Sequence, residues 1–208
     1  MKALIIADGS PPSGELIQKH GDANLLIAAD GGIEAIQKQG LKPDFLIGDF
    51  DSANSQTVQS YERTGTKIVR FAAEKNETDG MIALEIALKQ GADTIVMLGA
   101  LGKRTDHALA NIMLLKFAAE NGADMIIEDE YCEVSLASGE AEINGRTGQT
   151  VSILPFMGDA IVSADDSFHY PMRRLKMAGD DPVGISNILK KPRAKVSIVG
   201  WTLIFKIK

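Results

Sequence analysis

The stretch FLIGDFDS (45–52) ends an apolar run with two carboxylates, Asp49 and Asp51, separated by Phe50. Side chains two apart on an extended strand share a face. If extension persists through DFD, the two acids stand side by side and Phe50 points away. Like charges at that spacing repel and raise each other's pKa. A divalent cation removes the repulsion. Magnesium suits the pair, because it takes oxygen ligands and commonly uses one or two carboxylates together with substrate phosphates. More acids fall at equivalent places. Asp8 ends the first apolar run and Asp30 the second, while Asp79 and Asp106 open the helical patterns after the fourth and fifth. For Asp79 and Asp106 capping is a second reading, since an acid in the first turn gains about 0.3–1 kcal/mol from the helix dipole. Asp8 has no assigned role beyond ending its strand.

The same edge carries groups suited to phosphate. Gly31 and Gly32 follow Asp30 and start a helix; bare backbone approaches a ligand closely, and a helix N-terminus attracts anions. GALGKRTDH (99–107) brings Lys103 and Arg104 to another strand end. It is not a P-loop: Met97 stands where the first glycine belongs, and Arg104 replaces the Ser/Thr. Arg104 has two readings, a bidentate clamp on phosphate or a local ion pair with Asp106. His107 caps or packs at the helix start, or takes part in catalysis. The residues alone thus describe a magnesium-dependent enzyme acting on a nucleotide or pyrophosphate, with the acceptor open.

The elements that must position these groups change rhythm along the chain. Up to about residue 125, the runs KALIIAD, NLLIAAD, DFLIGDFD, KIVRFA, DTIVMLGA and DMIIED alternate with helical segments, among them TDGMIALEIALKQG and TDHALANIMLLKFAAENG. This alternation predicts parallel strands with helices on both faces, and runs apolar throughout suit strands covered on both sides. After about residue 130, EVSLASG, EAEING, TVSILPF, AIVSAD, AKVSIVG and WTLIFKIK follow one another across turn signals, which predicts a β-sandwich or open barrel. The expectation is an α/β, doubly wound, mostly parallel domain over 1–128, catalytic and binding nucleotide and metal, and a smaller all-β sandwich domain over 129–208. Ligands of open α/β sheets bind at the carboxyl ends of the strands, where the acids fall.

Composition narrows the class. The net charge of -6 argues against a nucleic-acid binder. The apolar runs are too short to span a bilayer, and MKALIIADGS turns polar too early for a secretory leader. The single cysteine, Cys132, excludes an internal disulfide framework and a cysteine-based zinc cluster. Together these predict a cytoplasmic protein. The basic cluster KKPRAK (190–195) reads as a strand edge guarded by lysines, or as a surface for an anionic ligand or an acidic partner.

Taken in order, AADGG (28–32), PDFLIGDFDS (43–52), KNETD (75–79), GALGKRTDHALANIMLL (99–115) and GISN (184–187) resemble the motifs of the thiamine pyrophosphokinase family over nearly the whole chain. The resemblance implies transfer of a pyrophosphoryl group from ATP to the thiamine hydroxyl, giving thiamine pyrophosphate and AMP. It implies a homodimer with thiamine held between the α/β domain of one subunit and the β domain of the other. On matching positions, Asp49, Asp51 and Asp79 hold magnesium, and Asp30 sits by the metal or its waters. Arg104 and Asp106 belong to the nucleotide and phosphate site, and Ser186 and Asn187 reach thiamine. Gly31, Gly32, Ser52, Thr78, Lys103 and His107 complete the substrate-binding set. Two positions depart from the pattern. Asn76 replaces an acid, and Lys103 replaces a glycine and adds charge near the phosphates. Trp201, fourteen residues past Asn187, is expected in sheet packing rather than against thiamine. A pyrophosphoryl transferase for another acceptor, such as a pterin alcohol, and a ligand-binding regulator are the alternatives.

Overall fold

The six continuous apolar runs become six parallel strands. They are β1 (Lys2–Ile6), β2 (Leu25–Ala29), β3 (Phe45–Gly48), β4 (Lys67–Arg70), β5 (Thr94–Leu98) and β6 (Asp124–Glu128). Among the described residues five helices lie between them: α1 (Gly14–Lys19), α2 (Gly32–Lys38), α3 (Ser55–Arg63), α4 (Asp79–Lys89) and α5 (Thr105–Glu120). The computed structural model describes residues 1–50, 55–71 and 77–208. The chain divides into two units, Met1–Glu130 and Tyr131–Lys208.

In the first unit the strands run in the order β6-β5-β1-β2-β3-β4, each parallel to its neighbours. Alternation along each strand sends side chains to both faces. Leu4, Ile6, Ala28, Leu46 and Leu98 pack with Leu16 and Ile17 of α1, Ile33 and Ile36 of α2, and Val58 of α3. Ile5, Ile27, Ile47 and Met97 point the other way and are equally buried, with α4 against β1, β2 and β3. Burying each such side chain contributes roughly 1.5–3 kcal/mol, and no polar face is left over. That is why the runs read as apolar throughout.

The strand order sets the site. From β1 the chain builds outward through β2, β3 and β4, then returns to place β5 on the other side of β1. The connections diverge from β1 and β5, and their C-terminal ends leave a crevice there.

One local expectation fails. Extension does not persist through DFD: β3 stops at Gly48, and Phe50 takes φ +58°. A left-handed residue turns the chain, so strand alternation does not decide where the acids after Gly48 point. Phe50 instead packs onto the core shared with the first three helices, with the Arg70 guanidinium 5.4 Å from its ring centre.

The second unit is antiparallel throughout. It holds β7 (Cys132–Asn144), β8 (Thr150–Pro155), β9 (Ala160–Ala164), β10 (Leu175–Met177), β11 (Asn187–Ile188) and β12 (Arg193–Ile207). EVSLASG and EAEING are one strand, not two, and so are AKVSIVG and WTLIFKIK. Glycine did not end them because each bends in place. Gly139 takes φ +72° and Gly200 φ +93°, and the β7–β12 register shifts between Ile198 and Thr202. The first half of β12 therefore pairs with β9 and the second half with β8. Val151, Ile153, Val162, Phe168, Leu189, Val196 and Ile204 share one core. The short strands β10 and β11 carry no alternation long enough to read in the sequence.

The basic cluster leads into β12. In the strand ladder Arg193 and Lys195 pair with Asn144 and Glu142 of β7 alone, because the pairing with β9 starts only at Val196, so this end of β12 is paired on one side, as the strand-edge reading expected. Arg193 pairs with Glu142 at 3.1 Å and Lys191 with Asp166 at 2.5 Å. Trp201 lies within β12 and is half-buried. No described helix is long and apolar enough to cross a membrane.

Candidate active site

A cavity of about 140 Å3 opens at the crevice beside β1 and β5. The loop after β1 brings Asp8 and that after β2 brings Asp30; Thr78 and Asp79 come from the start of α4. The loop after β5 gives Lys103 and Arg104, and α5 gives His107 and Asn111. A second cavity, of about 260 Å3, shares Ala7, Asp8, Gly9 and Lys103 with the first and extends to Gly31, Gly32, Glu34 and Lys38.

Local structure fixes each group. Thr78 is the N-cap of α4, its hydroxyl accepting from the Met81 N–H at 3.2 Å. Asp79 follows in the first turn, where a negative charge suits the helix dipole. Asp30 takes φ +51°, and its N–H donates to the Ile47 carbonyl at 2.7 Å. Gly31 and Gly32 have a packing role. A Cβ on Gly31 would lie 2.0 Å from Asp8 Oδ1, and one on Gly32 would lie 2.0 Å from the Ile6 carbonyl. These glycines let α2 start against the end of β1, and both still line the second cavity.

Arg104 and Asp106 make the local ion pair that one reading expected. Arg104 Nε lies 3.2 Å from Asp106 Oδ1, and its terminal nitrogen 2.6 Å from Oδ2. Asp106 Oδ1 also accepts from the His107 N–H at 3.0 Å. The guanidinium beside it lowers the Asp106 pKa to about 2, and that carboxylate in turn raises the pKa of Arg104. Both side chains are about two-thirds exposed. The fork that would hold a phosphate thus holds a carboxylate in its place. His107 lines the cavity from the first turn of α5.

Asp49 follows β3 directly, and the end of that strand runs beside Asp30: a Cβ on Gly48 would lie 3.5 Å from Asp30 Cα. Asp51 and Ser52 lie outside the described residues. Ser186 and Asn187 belong to the second unit. Ser186 takes φ +59° and its N–H donates to Ser152 Oγ at 3.0 Å. Asn187 is buried. Its Oδ1 accepts from the Tyr170 and Ile188 N–H groups at 3.0 and 2.9 Å, and its Nδ2 donates to the Tyr170 carbonyl at 2.8 Å. Both ends of this amide bind the backbone of Tyr170, a residue that is 59% exposed.

Among the polar residues lining the first cavity, two had no role in the sequence reading. Asp8 stood at a strand end like the other acids, and that position was its signal. Asn111 lies buried within the apolar pattern of α5, its Nδ2 donating to the Ala100 carbonyl at 2.8 Å. The signal was a lone amide in LANIMLL.

The model of the thiamin pyrophosphokinase catalytic domain matches residues 17–127. The chain belongs to the thiamin pyrophosphokinase family. It is 28% identical to a thiamine pyrophosphokinase of Bacillus subtilis over 98% of this chain and 97% of that one. It is 22% identical to thiamine pyrophosphokinase 1 of Arabidopsis thaliana, over 98% and 86%. The crystal structure of the Bacillus subtilis thiamine pyrophosphokinase superposes with a TM-score of 0.89 at 26% identity, over 100% and 99% of the two chains. The thiamin pyrophosphokinase of Candida albicans, 19% identical, shares the fold at a TM-score of 0.86 over 100% and 89%. The span matched to the thiamin pyrophosphokinase catalytic domain contains Asp30, Thr78, Asp79, Lys103, Arg104 and His107, so most of the cavity's polar wall comes from it.

Proposed function

We infer that the chain is a thiamine pyrophosphokinase that moves a pyrophosphoryl group from ATP to the hydroxyl of thiamine, releasing AMP. One observation carries this reading. Asp30, Thr78, Asp79, Lys103 and Arg104, all inside the span matched to the family's catalytic domain, line one cavity at the topological switch point, where Asp8 lies beside Lys103 and Asp106 beside Arg104. Such an arrangement can bind a polyphosphate and the cation that accompanies it.

Magnesium fits the donors present. Among the described residues no three acidic, histidine or cysteine side chains stand close enough to enclose a metal. Asp51 lies outside those residues, and magnesium needs no closed protein cage, because it keeps several waters and binds phosphate oxygens beside carboxylates. Asp49, Asp51 and Asp79 would hold it, with Asp30 on its waters. When bound, it supplies neutralisation of phosphate charge in the transition state.

The chain's own groups orient the reactants. Arg104 turns from Asp106 to grip the phosphates through its planar fork, and Lys103 adds a point charge. Asp106, ionised down to about pH 2, accepts the guanidinium again when product leaves. The acidic edge attracts the thiazolium cation of thiamine. Little covalent chemistry falls to the protein, so positioning of the hydroxyl in line with the β-phosphorus does most of the work. We further propose that the enzyme works as a homodimer in the cytoplasm. There Ser186 and the surface fixed by Asn187 meet thiamine bound at the partner's cavity.

Phosphorus NMR of the protein with ATP, magnesium and thiamine tests the reading. Thiamine-dependent AMP and thiamine pyrophosphate are expected, and Asp51→Asn should abolish both. ADP with thiamine monophosphate would mean attack on the wrong phosphorus. ATP binding with no thiamine-dependent product would point to another acceptor.

A further inference from the structure

Asp8 and Lys103 stand where the two cavities meet, and each lines both. Lys103 Nζ lies 2.8 Å from Asp8 Oδ1. The loops that carry them are fastened together by backbone. The N–H groups of Ala7, Gly9 and Ser10 donate to the carbonyls of Leu98, Gly99 and Leu101 at 2.9, 2.6 and 2.6 Å. Glycine makes that approach possible: a Cβ on Gly9 would lie 2.3 Å from the Gly99 carbonyl, and one on Gly102 would lie 2.0 Å from Ser10 Oγ. Lys103 itself takes φ +47°, a conformation that costs a non-glycine residue free energy.

The ion pair is not what holds this junction. Its side chains are 53% and 44% exposed, and pairs so exposed add little to folding. Its effect is on charge. The carboxylate of Asp8 occupies Lys103 at the point where a phosphate would need that ammonium.

We propose that Asp8 sets the affinity of the phosphate site by competing for Lys103, so that ATP must displace a resident carboxylate before Lys103 can engage it. The proposal rests on the phosphate-site reading above. It assigns Asp8 the opposite sign from an acid that binds substrate or holds metal. Neutralising Asp8 should tighten ATP binding, not weaken it.

Calorimetric titration with ATP and magnesium, without thiamine and at low salt, tests this on wild type, Asp8→Asn, Lys103→Met and the double variant. Asp8→Asn should bind ATP about two- to five-fold more tightly, the worth of an exposed pair. The gain should vanish in the Lys103→Met background and shrink as salt rises. Melting without ligand should be unchanged in Asp8→Asn, and Asp8→Ser should repeat the gain. Weaker binding by Asp8→Asn, or an equal gain without Lys103, overturns the proposal while leaving the phosphate site in place. Failure of wild type to bind ATP at all overturns both.

Discussion

Replacing Gly80 by alanine should unsettle the wall of the cavity through Asn111. Gly80 is the second residue of α4, and a Cβ there would lie 2.6 Å from Asn111 Oδ1. Leu114 Cδ1, at 3.5 Å, is an ordinary contact. The amide cannot yield freely, because its Nδ2 is bound to the Ala100 carbonyl at 2.8 Å and the residue is 8% exposed. Moving it breaks a buried hydrogen bond, at a cost of about 1–3 kcal/mol. Alanine in a helix gains up to about 1 kcal/mol over glycine. The net expectation for Gly80→Ala is a loss of about 0–3 kcal/mol. Removing Asn111 first removes the obstacle, so Gly80→Ala made on Asn111→Ala should stabilise by about 0.5–1 kcal/mol. Urea unfolding of the four proteins, with m-values held equal, reads the sign change directly. If Gly80→Ala destabilises by the same amount with and without Asn111, the clash lies elsewhere and the reasoning fails. Because Asn111 and Ala100 both line the cavity, the single variant should also raise the KM for ATP.

Three further outcomes are expected. Arg104→Ala should raise the KM for ATP at least ten-fold, as loss of a charge-assisted bidentate contact implies, with the KM for thiamine moved far less; equal losses on both substrates would place Arg104 at a shared hinge. Asp106 should titrate near pH 2 in wild type and near 4 in Arg104→Ala, read by carboxyl carbon NMR. Since the pair depresses that pKa, its contribution to stability is present above about pH 4 and is lost as pH falls through about 2. Asn187→Ala should cost about 1–3 kcal/mol in denaturant unfolding, because two backbone groups of Tyr170 lose their partner. A thiamine KM that rises while the ATP KM holds would tie that clamp to the thiamine side; equal rises would refute it.

Local patterning was enough for the strands and helices of the first unit and for the edge on which the acids fall. Apolar runs of five or so residues can be buried on both faces only as central parallel strands, and the helical patterns between them supply the cover. Asp8, Asp30 and Asp49 were legible as strand-end groups, and Asp79 and Asp106 as helix-start groups, because position relative to an element is a local property. What stands beside what was not local. Strand order placed β1 next to β5 and so put Asp8 against Lys103, ninety-five positions apart. No pattern near either residue encodes that pairing. The same holds for Asn187, whose partner Tyr170 is brought alongside by the Phe168–Leu189 bridge and by the His169 N–H donating to the Ile188 carbonyl. Glycine in β7 and β12 read as a stop and turned out to be a bend, since a positive φ ends a strand or kinks it according to the partners available. The chemistry-bearing residues are written in the chain. The Asp106–Arg104 pair was within reach of a local reading, two positions apart, but that Asp8 neutralises Lys103 at rest is decided only when the fold brings their charges within hydrogen-bond reach.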